Sequence, residues 1–218
     1  GVYDNTLLFF LTDNGGSKVM HANNAPLRGY KQQDYEGGVR VPFIVSWPAK
    51  LKGGTTCSAP LMSIDILPTA LAAAGTDRVG SLPFDGRNIL PALEGKTDLV
   101  HEQLYWSSAA GKGAWAIRSG KWKLVGLKTR LELFDLESDI GESKDLSGKH
   151  PEQVKKLKRL YDAWLDEMAE PANGAAKRWS VDTPASGKKN KKRSREEQRK
   201  LRDARRAKRK TEKKKPGE

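Results

Sequence analysis

At 218 residues, the chain is long enough for one domain with a sizeable core, or for part of a larger one. Its formal charge of +13 is concentrated: Gly187 to Glu218 holds 17 of the 40 Lys+Arg but only 5 of the 27 Asp+Glu, so the rest of the chain is close to neutral. A single cysteine, Cys57, excludes an internal disulfide framework and a cysteine-rich zinc site, and no apolar run approaches the ~18 residues needed to cross a bilayer.

In chain order, "GVYDNTLLFF" lacks the basic segment and small-residue cleavage site of a secretory signal, and it lacks an initiator Met; it reads as a helix end passing into a strand, with an upstream part expected. Thr6 to Leu11 is short and apolar without alternation, which predicts a strand buried on both faces inside an α/β sheet. Thr12-Asp13-Asn14-Gly15-Gly16 follows. Asn-Gly is turn chemistry, and Asp-Asn-Gly-Gly suits positive φ. Asp13 and Asn14 are also hard oxygen donors of the kind Ca²⁺ or Mg²⁺ prefers, set at the strand end where open α/β sheets bind ligands. The residues by themselves allow both readings.

The segment from Ala25 to Pro48, "APLRGYKQQDYEGGVRVPFIVSWP", places Arg28, Lys31, Tyr35, Glu36, Gly37, Gly38 and Arg40 in a flexible loop between core elements. Lys31 has the mobile point charge that neutralises a sulfate or phosphate, though a lone loop lysine is ordinarily just solvated. Glu36 and Arg40 read as a structural ion pair. Arg40 to Trp47 predicts a second strand, with Pro42 at its start or at a bulge. "SIDILPTALAAAG" predicts a helix with Ser63 or Asp65 as cap, Pro68 in the first turn and Gly75 closing it. From Leu104, "LYWSS", "AWAIRSG", "KWKLVGL" and "LELFDLES" predict a small antiparallel sheet with a turn at Ser119-Gly120. Pro151 to Glu170 predicts a covering helix with Val154, Leu157, Tyr161, Trp164, Leu165 and Met168 on one stripe. Ala172 to Ser186 reads as a linker, and the tail beyond it is too poor in apolar residues to build a core.

Taken together, "YDNTLLFFLTDNGG", "PLRGYKQQDYEGGVRVPFIVSWP", "SIDILPTALAAAG", "DGRNILPALEG", "AIRSGKWKLV" and "LELFDLESDIGESKDL" resemble, in order, the C-terminal half of the type I sulfatases, the arylsulfatase family. The resemblance covers Val2 to about Glu170. It implies an alkaline-phosphatase-like α/β fold: residues 1–100 as the end of the large mixed-sheet catalytic domain, 101–171 as a smaller antiparallel sheet with a helix, 172–186 as a linker and 187–218 as a disordered basic tail. It implies hydrolysis of sulfate esters at a Ca²⁺ site by a formylglycine made from Cys or Ser in a C/S-x-P-x-R sequence. Carried over, Asp13 and Asn14 match two metal ligands, and Lys31 matches a lysine on the sulfate and the leaving-group oxygen. His21, between them, is a candidate substrate contact.

The family nucleophile is absent. Cys57 stands in "CSAPL", where proline falls at the wrong offset and no arginine follows, and no serine supplies the pattern. The upstream acidic ligands and the basic residues of the first half are missing too. The expectation is therefore a fragment inactive by itself and, by resemblance, part of an exported enzyme. His101 and His150, at element starts, are read as non-catalytic. Two other functions stay open: a phosphodiesterase or phosphonate monoester hydrolase of the same superfamily, and a non-catalytic polyanion-binding module. The tail, rich in cations without interleaved aromatics, attracts nucleic acid, anionic polymers or a sulfated polysaccharide by counterion release.

Overall fold

The computed structural model describes residues 1–76, 83–108 and 114–168, all of which belong to one compact unit. The expected linker at 172–186 and basic tail at 187–218 lie outside them.

The first apolar run forms strand β1 (Leu8–Leu11), and "FIVS" forms β2 (Phe43–Ser46). They pair antiparallel, with Leu8 opposite Ser46 and Leu11 opposite Phe43. Pro42, which has no N–H to give a ladder, sits just before β2. The expected burial of both faces is not found. Phe10 and Ile44, opposite one another, are each 56% exposed, and Leu8 on the same face is 46% exposed. Phe9, Leu11, Phe43 and Val45 on the other face are half-buried. The reason is topological: among the described residues this sheet has two strands only, and nothing covers its first face.

The loop expected to be flexible is also different. Asp34 to Gly38 is buried, and Glu36–Val39 forms one helical turn, α1. Further on, a 3-10 turn at Ser63–Asp65 leads into α2 (Ile66–Ala73), and Gly75 closes it at φ +62°. Asp65 does more than cap. Fully buried, its carboxylate accepts the Met62 N–H at 2.7 Å and the Arg87 N–H at 2.8 Å, and it meets His101 Nε2 at 2.9 Å. His101, read from sequence as an element start, thus anchors this corner. Leu90–Leu93 adds a short helix, α3.

The remaining strands form one antiparallel sheet in chain order: β3 (Leu104–Ser108), β4 (Ala114–Ser119), β5 (Trp122–Gly126) and β6 (Leu131–Asp135). Gly120 opens the two-residue turn between β4 and β5 at φ +57°, a left-handed conformation that a side chain would strain. Period-two alternation then sorts the side chains. Trp115, Ile117, Leu124 and Leu133 point to helix α4 (Pro151–Glu167), which buries Leu157 and Tyr161 against them. Tyr161 stacks on Trp115 with centroids 4.1 Å apart, and Trp164 stacks on Tyr105 at 4.8 Å. The helix stops three residues earlier than expected, so Met168 leaves the stripe and is exposed. The opposite face carries Trp106, Ala116, Val125 and Phe134, and it packs on Tyr35 of the 24–40 loop. The sheet is thereby held between a helix and the loop that follows the "DNGG" turn. Among the described residues no helix is long and apolar enough to cross a membrane.

Candidate functional site

The "DNGG" turn leaves β1 and is stitched to the 24–40 loop by backbone. Thr12 Oγ1 donates to the Asn14 carbonyl at 3.2 Å, and Asn14 Nδ2 donates to the Gly15 carbonyl at 3.1 Å. Gly15 N–H donates to the Gly38 carbonyl at 3.0 Å, and the chains approach so closely that a Cβ on Gly15 would strike the Gly37 carbonyl oxygen. Asn24 completes the join. Its Oδ1 accepts from Gly16 N–H at 3.1 Å, while its Nδ2 donates to the carbonyls of Gly16 at 3.0 Å and Gly29 at 2.9 Å. The Gly16 carbonyl also accepts the backbone N–H of Lys31 at 3.0 Å. A bidentate amide bridging two loops needs no sequence periodicity, and nothing in "HANNAP" distinguished Asn24 from its neighbour Asn23.

Asp13 and Asn14 line a cleft of about 870 Å³, together with Glu36, Arg40, Trp106 and Arg118. Asp13 is exposed and Asn14 half-buried. Lys31 and His21 are exposed and do not line this cleft. Lys31 is tied to the turn through its backbone alone, and His21 ends a 3-10 turn at Lys18–Met20 in a left-handed conformation, φ 56°. Calcium takes about six to eight oxygen ligands. Asp13 and Asn14 offer the right donor chemistry but too few donors, and among the described residues no three His, Cys, Asp or Glu side chains converge to hold a metal ion. These residues suit part of a calcium shell, not a whole one.

Behind the cleft lies a buried ionic cluster that the sequence did not disclose. Lys123 Nζ, fully buried, donates to Glu36 Oε1 at 2.8 Å and lies 3.0 Å from Glu142 Oε1. That second contact is an ion pair without hydrogen-bond alignment, so Glu142 Oε1 has no hydrogen bond. Glu142 Oε2 instead accepts the Glu36 N–H at 2.7 Å. Burial pushes the Glu142 carboxyl above its usual pKa, against the pull of Lys123. Arg40 adds a second cation at the solvent edge, with Nη1 3.5 Å from Glu36 Oε2. The expected Glu36–Arg40 pair therefore exists, but Lys123 is the closer partner. A neighbouring cluster fixes the same loop: Tyr35 Oη donates to Glu132 Oε2 at 2.5 Å, Arg130 Nε donates to Glu132 Oε1 at 2.8 Å, and the Arg28 guanidinium lies 4.0 Å over the Tyr35 ring.

The chain has relatives among known proteins. A family profile described as Sulfatase matches residues 1–76, the part that contains the turn and the loop. Over these residues the chain is similar to the sulfatase family. It is 34% identical over 134 residues to the steryl-sulfatase of Mus musculus, covering 56% of this chain and 22% of that protein. It is 29% identical over 188 residues to an N-acetylgalactosamine-6-O-sulfatase of Bacteroides thetaiotaomicron, covering 73% of this chain and 36% of that one. Among solved structures, Ps i-CgsB in complex with k-i-k-neocarrahexaose superposes with a TM-score of 0.68 at 33% identity, over 74% of this chain and 37% of that chain. The chain has the alkaline-phosphatase-like α/β fold class of such neighbours. It spans less than half the length of each of these relatives.

Proposed function

We propose that the chain is the C-terminal part of a Ca²⁺-dependent sulfuric ester hydrolase, with residues 1–100 completing the catalytic domain and 101–171 forming the smaller sheet and helix. The observation that carries this reading is the placement of Asp13 and Asn14 at the end of β1, lining a cleft, within the segment matched by the sulfatase profile. Asp13 and Asn14 would supply two oxygens to the calcium, which as a Lewis acid draws charge from sulfate oxygens. Lys31, held near the turn by its backbone, would set its ammonium against the sulfate and the leaving-group oxygen; His21 would contact the substrate. The formylglycine nucleophile and the rest of the metal shell would come from outside this chain. A relative named for a 6-O-sulfated sugar and a neighbour solved with k-i-k-neocarrahexaose support a sulfated polysaccharide as substrate, while an exported enzyme as the setting rests on the family resemblance alone. The tail beyond Gly187 would keep such a polymer near by charge.

The test joins this chain to its upstream coding sequence and assays sulfate release from an aryl sulfate. Turnover by the joined protein, none by the 218-residue chain, and a loss of about a hundredfold or more on Asp13→Ala or Lys31→Ala is the expected result. Turnover by the 218-residue chain alone would refute it. So would a joined protein that prefers a phosphodiester or phosphonate monoester, or one that binds polyanions and hydrolyses nothing.

A further inference from the structure

Arg118 is a cation without an ion-pair partner among the described residues. It lies directly across from Lys123 in the β4–β5 register, on the same face of the sheet, and like charges placed opposite one another destabilise a ladder. The charge of Lys123 is taken up by Glu36 and Glu142. Among the described residues the hydrogen bond of the Arg118 guanidinium is from Nε to the Gly120 carbonyl, at 3.1 Å, with no carboxylate in ion-pair contact. Burial pulls its pKa below the usual arginine value; of the carboxylates that act against this, Glu36 is the stronger and already serves Lys123 and Arg40, and Glu137 acts from a distance without an ion-pair contact. A partly desolvated guanidinium without a carboxylate partner costs stability, and such a cost is ordinarily retained for a ligand.

The surroundings show which ligand. Arg118 lines the same cleft as Asp13 and Asn14. Arg40 lines it too, with its side chain 52% exposed and its charge felt at Arg118. Trp106 stands diagonal to Arg118 across the β3–β4 pair, on the same face, half-buried and also lining the cleft. A planar guanidinium presents paired donors that match the oxygens of sulfate or carboxylate, and an indole offers a flat apolar wall.

We propose that Arg118, with Arg40 beside it and the Trp106 ring as wall, forms a subsite for a second anionic group of a sulfated saccharide. The primary sulfate would sit at the Asp13–Asn14 end of the cleft. This rests on the sulfatase reading for the identity of the ligand, but the subsite itself is contributed by the antiparallel sheet. It selects sugars that carry two anionic groups over those that carry one.

The experiment titrates the full 218-residue chain, tail included in every variant, with glucosamine 2-N,6-O-disulfate and with N-acetylglucosamine 6-sulfate, followed by calorimetry. The wild-type chain should prefer the disulfated sugar by about tenfold, the factor expected of one charge-assisted hydrogen-bonded pair. Arg118→Met should erase that preference without changing affinity for the monosulfated sugar, and its melting temperature should be unchanged or higher. Arg118→Lys should keep part of the preference. The proposal is overturned if the wild type shows no preference, if Arg118→Met retains it, or if the variant weakens both sugars equally. A joined full-length protein that releases no sulfate, while the wild-type preference still depends on Arg118, would defeat the hydrolase reading and leave the subsite standing.

Discussion

Replacing Lys123 with methionine removes the cation that two buried carboxylates share. Glu36 Oε1 loses a partner at 2.8 Å and Glu142 Oε1 one at 3.0 Å, and neither side chain has solvent to fall back on, their exposures being 3% and 0%. Arg40 remains at 3.5 Å from Glu36, but at the solvent edge and too far from ideal geometry to compensate. Breaking a buried pair by deleting one partner costs about 3–5 kcal/mol. Against a domain stability of about 5–15 kcal/mol that is a fifth of the total or more, equivalent to about 6–20 °C in melting temperature for a chain of this size. The assay is urea and thermal unfolding followed by near-UV circular dichroism, which reports on Trp106, Trp115 and Trp122 around the sheet. The companion variant Lys123→Met with Glu36→Gln and Glu142→Gln removes the uncompensated charge and should recover most of the loss. A single variant that costs less than about 1 kcal/mol, or a triple variant no better than the single, would refute the claim that this cluster is buried and charge-balanced.

Tyr35 offers a pH test, since burial and then its hydrogen bond to Glu132 push its phenol up to about 12. A folded pKa raised above the unfolded 10.0 stabilises the fold fully below pH 10 and loses that contribution as pH climbs toward 12. Melting temperatures between pH 8 and 11.5 should therefore fall more steeply for wild type than for Tyr35→Phe; parallel profiles would sink the assignment. Burial also raises the phenols of Tyr105 and Tyr161, so the variant keeps a residual slope. Asn24→Ala removes two side-chain hydrogen bonds between the "DNGG" turn and the following loop and a third within that loop, to Gly29, and it should cost about 1–3 kcal/mol while speeding hydrogen exchange at the Gly16 amide. An unchanged Gly16 exchange rate would show that the join does not depend on Asn24.

The parts that sequence made legible are those with a local signal. β4, β5 and β6 are short aromatic-rich segments, the Ser119-Gly120 turn carries its own dipeptide signal, and α4 writes its stripe every three to four residues, so sheet and cover could be placed. The two oxygen donors of the turn were legible as chemistry. What escaped depends on distance along the chain. Lys123 in "KWKLV" looks like the solvent-facing member of an alternation; its burial is set by Glu36, 87 residues earlier, and by Glu142, held in a turn at φ 50°. Arg118 has the same sequence profile, and what it lines is set by the fold around it. The "TLLFFL" run was read as buried on both faces because it has no polar alternation, and the exposed Phe10 and Ile44 show that such a run specifies a need for cover without supplying it.

The Lys123 cluster also bears on how far this protein's parts can be exchanged. Its three members come from three segments: the loop after the "DNGG" turn, the third strand of the antiparallel sheet and the turn before the last helix. A chimera that takes the sheet from one relative and the loop from another must import all three together, or it will trap an unmatched charge at the seam. Interchange at this junction is therefore a matter of charge accounting first and of backbone fit second, and recombination libraries built on this fold should keep positions 36, 123 and 142 as one block.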